Sequence, residues 1–320
     1  MGTGFAAWLS RRLCISALVL AVVGFVVFLA TNLLPANIVD QILGNNATPE
    51  ARRALTVKLG LDEPPLTRYW SWAAGVLHGD FGSSLVSGRP VGALVWPHLL
   101  NSLLLDLFAV PLIVVCSVAL GSLAALRRGR TTDRLVSGLC FAGLSMPEFV
   151  IGSLLVWIFS VRLGWLPALT QMSGSMSVSE LLRALVLPVL TVAPVSVAYL
   201  TQTMRAATIT VLDQEFVRTA PTRGLGRWRV LLGHVLPNAA IPMINVFTVN
   251  LAWLVGGQVV VETMFQYPGI GKLLLDSVDA QDVPTLQAAA LLIGAIYVGL
   301  NLVADIAVSL LDPRVARSAA

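Results

Sequence analysis

The side chains that could do chemistry in this sequence of 320 residues are few and widely separated. The three histidines, His78, His98 and His234, lack the close spacing of a metal-binding motif. The three cysteines lie within apolar segments and are expected to act as small packing residues: Cys14, Cys116 and Cys140. The sequence contains neither a nucleophile–base motif nor a GxxxxGK[ST] phosphate-binding loop. We therefore predict no catalytic residue, no metal site and no cofactor in this chain.

One charged stretch, which begins at Glu215 and ends at Pro242, interrupts an otherwise apolar sequence: EFVRTAPTRGLGRWRVLLGHVLPNAAIP. Asp213 is expected to cap a short helix that runs through Ala220, and Gly224 permits a tight turn before a second helix. Apolar residues of the second helix recur at steps of three or four, as in an amphipathic helix: Leu225, Trp228, Leu232, Val235 and Leu236. The stretch therefore predicts a helix–turn–helix elbow that lies on a membrane surface or docks into a partner.

Three acidic residues lie inside apolar segments, where a charge at the bilayer centre costs about 2.5–3.5 kcal/mol on insertion scales. Glu148 follows Pro147 near the middle of its segment and should face a cavity or a partner. Asp106 lies near the start of its segment, where we expect hydration at the outer interface. Asp305 lies near the cytoplasmic end of the last segment, and we predict a structural ion pair with a cytoplasmic arginine.

The elements that must position these residues are membrane helices. The chain is 56% hydrophobic and 12% charged, with a mean hydropathy of +0.81, whereas a soluble domain is about 25% charged. Six apolar segments each supply the roughly 20 residues that a spanning helix needs, and a backbone in hydrocarbon must form its own hydrogen bonds. We predict an all-α polytopic membrane protein with six transmembrane helices, at 13–34, 102–126, 135–161, 181–204, 239–261 and 286–311.

The basic residues indicate the orientation of these spans. Thirteen arginines lie before the first span, after the last, and in the loops between spans two and three and spans four and five. The opposite short loops contain only Arg162, Arg183 and Lys272. Because basic residues concentrate in cytoplasmic loops, both termini are predicted to be cytoplasmic, and this placement favours a membrane over a nucleic-acid partner. The first segment is longer than the apolar core of a signal peptide, so it is predicted to span.

The long connection at 35–98 is predicted to face outward and to contain two short helices. Thr48 can cap the first helix, which Gly60 would end, and the second would occupy 66–78. Its aromatic residues are expected at the lipid headgroups, and direct contact with an extracytoplasmic protein is the alternative: Tyr69, Trp70 and Trp72. Two strings predict outer turns: HGDFG, in which Asp80 bonds its own backbone, and FQYPGIGK, which lines the exit of a cavity or serves as scaffold.

The charged stretch resembles the EAA loop, the cytoplasmic signature of permease subunits in binding-protein-dependent ABC importers. The resemblance rests on Glu215, Thr219-Ala220, Gly224 and the string HVLP at 234–237. Pro221 departs from the family pattern, which usually has a helix-compatible residue at this position. Proline inside a helix removes a hydrogen bond and costs about 3 kcal/mol. Strings along nearly the whole chain are similar to the branch that serves dipeptides, oligopeptides and nickel: ATPEARRALTVKLGLDEPPLTRYWSW, HGDFGSS, LGSLAALRRGRTTDRL, SMPEF, ETMFQYPGIGKLLLDSV and LLDPR.

This resemblance implies the type I ABC importer permease fold, with the helical outer segment between spans one and two. It divides the chain into a cytoplasmic N-terminus and first span at 1–34, an extracytoplasmic segment at 35–98 and a five-span permease core at 99–312. The core would carry the cytoplasmic coupling loop at 205–237, and a cytoplasmic tail would follow at 313–320. The implied location is the bacterial cytoplasmic (inner) membrane.

The resemblance also implies partners. A homologous second permease would form a heterodimer with this chain, two cytoplasmic ATPase subunits would bind ATP and Mg, and an extracytoplasmic solute-binding protein would deliver a peptide. Glu148 would lie in the translocation path, or would instead meet the second permease or stay neutral and buried. Nickel or a metal chelate is the alternative cargo, and a membrane scaffold that recruits a cytoplasmic partner is the alternative function. The residues expected to couple the ATPases to transport are Asp213, Glu215, Thr219, Ala220 and Gly224.

Overall fold

The described part of the chain in the computed structural model comprises residues 2–33, 48–58, 62–170, 172, 176–219 and 226–311. Apart from one isolated bridge between Ser83 and Pro90, the regular secondary structure of these residues is helical, which confirms the all-α class. Two helices continue as π-helical segments, α6 through Val156–Arg162 and α9 through Leu231–Val235. The helices are α1 Gly2–Leu33, α2 Pro49–Lys58, α3 Pro65–Leu77, α4 Val91–Leu126, α5 Thr131–Ser145, α6 Glu148–Leu155, α7 Val178–Leu212, α8 Glu215–Arg218, α9 Arg227–Val230, α10 Leu236–Gly257, α11 Val259–Met264, α12 Ile270–Asp279 and α13 Val283–Leu311.

Four helices in the described residues are long and apolar enough to cross a bilayer, namely α1, α4, α7 and α13. Helices α5 and α6 form a fifth crossing if this pair, bent by 103°, counts as one broken span. Helix α10 lies at the position predicted for span five. The six predicted segments thus fall on helices, while the number that cross the membrane stays a prediction.

Helix α7 is the central helix, because it packs against α4, α5, α6 and α10. Its most extensive contact is with α4, and a glycine makes that close approach possible. A Cβ added at Gly121 would lie 2.8 Å from the Cβ of Met204 and 2.8 Å from the carbonyl oxygen of Thr201. The main apolar core lies around this pair and includes Leu105, Ile113, Leu187, Leu200 and Leu254.

Helix α1 lies at the periphery of the bundle and packs against α13. Near one end of this contact, Gln287 Nε2 donates to Thr31 Oγ1 over 2.7 Å. Near the other end, Arg12 Nη1 lies 2.8 Å from Asp305 Oδ2, which confirms the predicted ion pair of Asp305 with an arginine. These two contacts show that α1 and α13 are antiparallel, so the start of α1 lies at the same end of the bundle as the end of α13.

The outer segment has the two predicted helices. Thr48 Oγ1 accepts a hydrogen bond from Ala51 N over 3.2 Å and so caps α2, while Gly60 lies outside the described residues. In α3, the rings of Tyr69 and Trp72 pack on Phe28 of α1, with centroids 5.4 and 6.0 Å apart. Aromatic packing on α1, rather than headgroup contact alone, therefore holds this segment. Trp70, by contrast, is exposed.

A turn after α3 ties the outer segment to the start of α13. Asp80 Oδ1 accepts a hydrogen bond from Gly82 N over 2.9 Å, which confirms the predicted turn. The buried carboxylate of Asp282 then accepts hydrogen bonds from Ser84 Oγ at 2.5 Å, Leu85 N at 3.0 Å and Thr285 Oγ1 at 2.7 Å. The outer segment is thereby fixed to the core at the end of the bundle opposite the elbow.

Candidate functional site

The elbow between α7 and α10 has its own apolar core. Val217 of the first arm packs with Val230, Leu231 and Val235 of the second. Val211 and Leu212 at the end of α7 and Leu236 at the start of α10 pack against this cluster. The two arms and the two long helices that flank them therefore form one packed unit, so a force on the elbow can reach both helices.

Three of the predicted coupling residues fall within the described residues, and two do not. Glu215 is exposed in the first turn of α8, and Thr219 Oγ1 donates to the carbonyl oxygen of Glu215 over 3.0 Å. Asp213 does not cap α8, so that prediction was wrong: it is the C-cap residue of α7, and Gln214 occupies the N-cap of α8 without a side-chain cap. The remaining positions, Ala220 and Gly224, lie outside the described residues, as does Pro221.

The predicted apolar face of the second arm is partly wrong. Leu232 is exposed, whereas Val230, Leu231 and Val235 are buried. The cause is the π-helical segment Leu231–Val235, because i→i+5 bonding adds a residue to one turn and rotates the side chains away from the phase of a regular helix. A prediction that assumes 3.6 residues per turn through this segment therefore places some apolar side chains on the wrong face of the second arm.

The solvent-facing side of the elbow combines apolar and charged groups. Phe216 and Leu232 are exposed, one on each arm. Glu215, Arg229 and His234 are also exposed. Large apolar side chains flanked by charges are typical of a protein interface, in which aromatic anchors supply binding energy and charges fix the register.

Two ion pairs stabilise the end of α7, from which the elbow extends. The guanidinium of Arg205, near the end of α7, donates through Nε to Asp133 Oδ1 at 2.6 Å and through Nη2 to Oδ2 at 2.8 Å. Gly129 N also donates to Asp133 Oδ2, over 2.9 Å. Arg128 Nη1 lies 3.5 Å from Asp213 Oδ2. The loop between α4 and α5 and the first turn of α5 thus each contact the end of α7 once, immediately before the elbow.

Glu148 lies at the break between α5 and α6. Span three was predicted as one helix at 135–161, but Met146 and Pro147 adopt extended backbone and the two helices meet at 103°. Glu148 is the first residue of α6 and is half-buried. Among the described residues, its carboxylate has neither a hydrogen-bond donor nor an ion-pair partner. It is therefore placed to meet water or another molecule.

Sequence reasoning missed a buried network at the opposite end of the bundle. The side chain of Glu262 is only 1% exposed, and its carboxylate accepts hydrogen bonds from Ser102 Oγ at 2.5 Å and Lys272 N at 2.9 Å. Ser102 Oγ also accepts a bond from Ile270 N over 2.8 Å. Helix α4, helix α11 and the start of α12 are thereby joined at a single carboxylate.

Two further contacts extend this network along α4. Asn101 Nδ2 donates to the carbonyl oxygen of Pro268 over 2.9 Å, which fixes the predicted turn at FQYPGIGK. Asp106 was expected to be hydrated, but it is buried and accepts a hydrogen bond from Gln258 Nε2. The only sequence signal for the network was an acid, Glu262, placed between an apolar run and a proline–glycine turn. Within the described residues, no group of three or more His, Cys, Asp or Glu side chains is arranged to hold a metal ion.

Comparison with known proteins identifies the family. The model of the binding-protein-dependent transport system inner membrane component matches residues 117–317, and the N-terminal model for the membrane component of such systems matches residues 5–92. The chain belongs to this family. It is therefore a permease component of a binding-protein-dependent ABC importer, a multi-pass protein of the inner membrane.

Individual relatives match this permease over nearly its full length. It is 34% identical to the probable peptide ABC transporter permease protein y4tP of Sinorhizobium fredii over 308 residues, which cover 96% of this chain and 98% of that protein. It is 36% identical to the glutathione transport system permease protein GsiC of Salmonella typhimurium over 296 residues, 92% of this chain and 94% of that protein. The Escherichia coli K12 protein of the same name is 34% identical over the same length.

Family membership implies ATPase subunits and a solute-binding protein as partners of this permease. ATPase activity in such importers belongs to a separate subunit. Membership also favours transport over the scaffold alternative, because the family is defined by import rather than by recruitment.

Proposed function

We propose that this permease forms half of the translocation pathway for dipeptides or oligopeptides, with a homologous second permease as the other half. The support for a peptide cargo is that relatives at 34% and 36% identity are named for peptide and for glutathione, itself a tripeptide. Two ATPase subunits bind ATP and Mg, and an extracytoplasmic solute-binding protein delivers the peptide.

The proposed coupling role rests on the packing of the elbow. Its two arms share an apolar core with the ends of α7 and α10, and its outer side exposes Phe216 and Leu232. An ATPase groove that binds this outer side would move both long helices when ATP binding closes the ATPase pair. The Asp133–Arg205 pair passes this displacement to the start of α5.

A set of elbow variants tests this role. Phe216→Ser and Leu232→Ser should leave the purified permease folded and lower the retention of ATPase subunits about tenfold, as expected for loss of an interface anchor. Glu215→Lys should weaken retention by reversing a charge on the same surface. Val217→Ser is the matched buried control and should lower Tm instead. Full retention by the Phe216 and Leu232 variants would exclude the exposed face as the docking surface.

The turn residues that lie outside the described residues have their own test. Gly224→Val should leave membrane insertion intact but uncouple ATP hydrolysis from import, because a β-branched residue opposes a tight turn. Pro221→Ala should be tolerated or mildly stabilising if the proline only ends the first arm. Full import by Gly224→Val would remove the turn from the coupling mechanism.

The orientation of the chain follows from its basic residues, and labelling can test it. In a cysteine-free background, a cysteine at Thr56 in α2 should react with a membrane-impermeant maleimide added to intact cells. A cysteine at Arg218 in α8 should react only after permeabilisation. Strong labelling at position 218 in intact cells would overturn the cytoplasmic placement of the elbow and of both termini.

The cargo can be identified on the solute-binding protein. The complex is purified from cells with its binding protein attached, and mass spectrometry identifies the molecule that the binding protein carries. We expect a short peptide. Recovery of nickel or a metal chelate in its place, with import of that species by the reconstituted complex, would replace the peptide proposal.

A further inference from the structure

An open cavity of ≈790 Å³ lies between the loop that follows α6 and the first turns of α7. Its wall is mainly apolar and includes Trp165, Leu166, Pro167 and Met176, with Arg183 and Glu180 as its charged residues. This size is within the range of about 300–1,000 Å³ that is typical of small-molecule pockets.

Local backbone contacts build this cavity at the outer end of the bundle. Gly164 has a φ of +64°, which turns the chain so that Trp165 N donates to the carbonyl oxygen of Phe159 over 2.9 Å. The buried Thr170 donates through Oγ1 to the carbonyl oxygen of Ala184 at 2.9 Å and through N to that of Phe265 at 2.8 Å. The cavity is therefore fixed beside the turn between α11 and α12.

The cavity contains a guanidinium with no protein partner in the described residues. Of the basic residues in the short outer loops, Arg162 lies 5.0 Å from the ring centroid of Trp157, and Lys272 Nζ lies 2.6 Å from Asp276 Oδ2. Arg183 has neither kind of contact and is exposed. The four loop positions outside the described residues, 171 and 173–175, are Gln, Ser, Gly and Ser, so none of them adds an acid.

The nearest carboxylate in the same helix, that of Glu180, uses one of its two oxygens to cap the helix. Glu180 Oε2 accepts hydrogen bonds from Ser177 N and Ser177 Oγ, both at 2.8 Å, in a capping box at the start of α7. Arg183, three residues after Glu180 and beyond the first turn of α7, forms no ion pair with this carboxylate. No salt bridge within the described residues explains the position of this arginine.

We propose that this cavity is an entry subsite for the C-terminal carboxylate of a short peptide. The planar guanidinium of Arg183 binds the two carboxylate oxygens as a fork, and Trp165 with the apolar wall contacts the last side chains of the peptide. Met176 can adjust to side chains of different size, because its thioether chain is flexible. This inference rests on the proposed peptide cargo.

The openness of the site to solvent suits a transient step. Water screens the exposed guanidinium and keeps the affinity low, so a peptide released by the binding protein is held briefly and is not trapped. A concave pocket with a cation at its wall fits the end of a short peptide better than it fits the broad face of a folded protein.

Chemical protection tests the site without requiring transport. The complex in nanodiscs is treated with phenylglyoxal, and mass spectrometry measures the modification rate of each arginine. Trialanine at twice its dissociation constant should slow modification of Arg183 about threefold, in proportion to the unoccupied fraction. Trialanine amide has the same amino terminus but no carboxylate and should not protect, and Arg162 is the internal control. No protection of Arg183 by trialanine over a titration to 100 mM would overturn the proposal.

A second test measures peptide uptake by reconstituted complexes that all use the same binding protein. Arg183→Gln should reduce the ratio of free-acid to amide peptide uptake about fivefold, the upper value for an ion pair exposed to water, and Arg183→Lys should reduce it less. Arg162→Gln should leave the ratio unchanged. An unchanged ratio in Arg183→Gln would overturn the proposal.

The two proposals fail in different ways. If Arg183→Gln raises the concentration of unliganded binding protein that half-stimulates the ATPase, Arg183 belongs to a docking surface for that protein, and the carboxylate subsite is excluded. If trialanine protects Arg183 but the complex imports no peptide, the peptide import function fails and the carboxylate site stands. If peptides are imported but Arg183 is not protected, only the subsite fails.

Discussion

The guanidinium of Arg205 binds the carboxylate of Asp133 through two parallel hydrogen bonds, of 2.6 and 2.8 Å, across 72 positions of the sequence. The two side chains differ in exposure, at 26% for Arg205 and 6% for Asp133. A planar guanidinium that binds both oxygens of a carboxylate fixes orientation as well as distance. This pair therefore sets the angle at which α7 meets the start of α5, just before the elbow.

The difference in exposure predicts an asymmetry between the two single variants. Arg205→Gln leaves the buried Asp133 carboxylate with Gly129 N as its remaining donor, and we expect a loss of about 2–4 kcal/mol in stability, near the range for breaking a buried pair. Asp133→Asn leaves a guanidinium that water partly reaches, and the loss should be about half as large. Thermal unfolding of the purified complex measures both, and equal shifts in Tm would contradict the asymmetry.

The contact between α4 and α7 gives a second prediction. Gly121→Ala places a Cβ 2.8 Å from both Met204 Cβ and Thr201 O, so the helices must separate, at about 1–3 kcal/mol for overpacking. Gly138→Ala in α5 is the matched control, because a Cβ there meets nothing within 4 Å. Size-exclusion yield and Tm of the two purified variants give the comparison. A stable Gly121→Ala variant would mean that the two helices can separate at little cost.

Local signals allowed several parts of the fold to be predicted from the sequence. Thr48 and Asp80 act on backbone groups two or three residues away, so a short window contains the whole interaction. The pairing of Asp305 with an arginine was also predictable, because the helix end that carries this acid was predicted to lie on the arginine-rich side of the membrane. In each case the chemistry of a residue and its immediate neighbours was sufficient.

Features that depend on distant residues or on backbone irregularities were not predictable. Ser102 and Glu262 meet across 160 positions, and nothing in either local sequence names the other. The prolines of the apolar segments look alike in sequence, yet Pro111 and Pro188 lie inside continuous helices while Pro147 ends one. Which proline breaks a helix depends on the packing of the neighbouring helices, which can satisfy the carbonyl groups that a proline leaves free.

The network around Glu262 gives a third prediction. Ser102→Ala removes the donor to Glu262 Oε1 and the acceptor of Ile270 N, and each buried group left unsatisfied costs about 1–3 kcal/mol. Amide exchange in 266–274 should therefore accelerate about tenfold or more. Ser277→Ala is the control, since that buried hydroxyl bonds only a carbonyl of its own helix. Similar exchange in both variants would show that Ser102 does not hold the turn.

Two roles for Glu148 follow from the lack of a partner for its carboxylate among the described residues. It begins α6 at a 103° bend, half-buried and without a partner among the described residues, and an unpaired carboxylate at membrane depth is unfavourable. In the path, it would offer a weak site for the positive amino terminus of a peptide. At the interface with the second permease, it would instead accept hydrogen bonds from that subunit and hold the heterodimer together.

Glu148→Gln separates these two roles, because it keeps the size and most of the hydrogen bonding of the side chain but removes its charge. If Glu148 lies in the path, the complex should assemble normally, and uptake of peptides with a free amino terminus should fall about two- to fivefold, the range for a partly solvated ion pair. Uptake of N-acetylated peptides should change less.

If Glu148 holds the interface, the two permeases should co-purify poorly. Phe149→Leu, an adjacent apolar substitution, controls for disturbance of the bend. Normal assembly with unchanged uptake of both kinds of peptide would exclude any role that depends on the charge of Glu148.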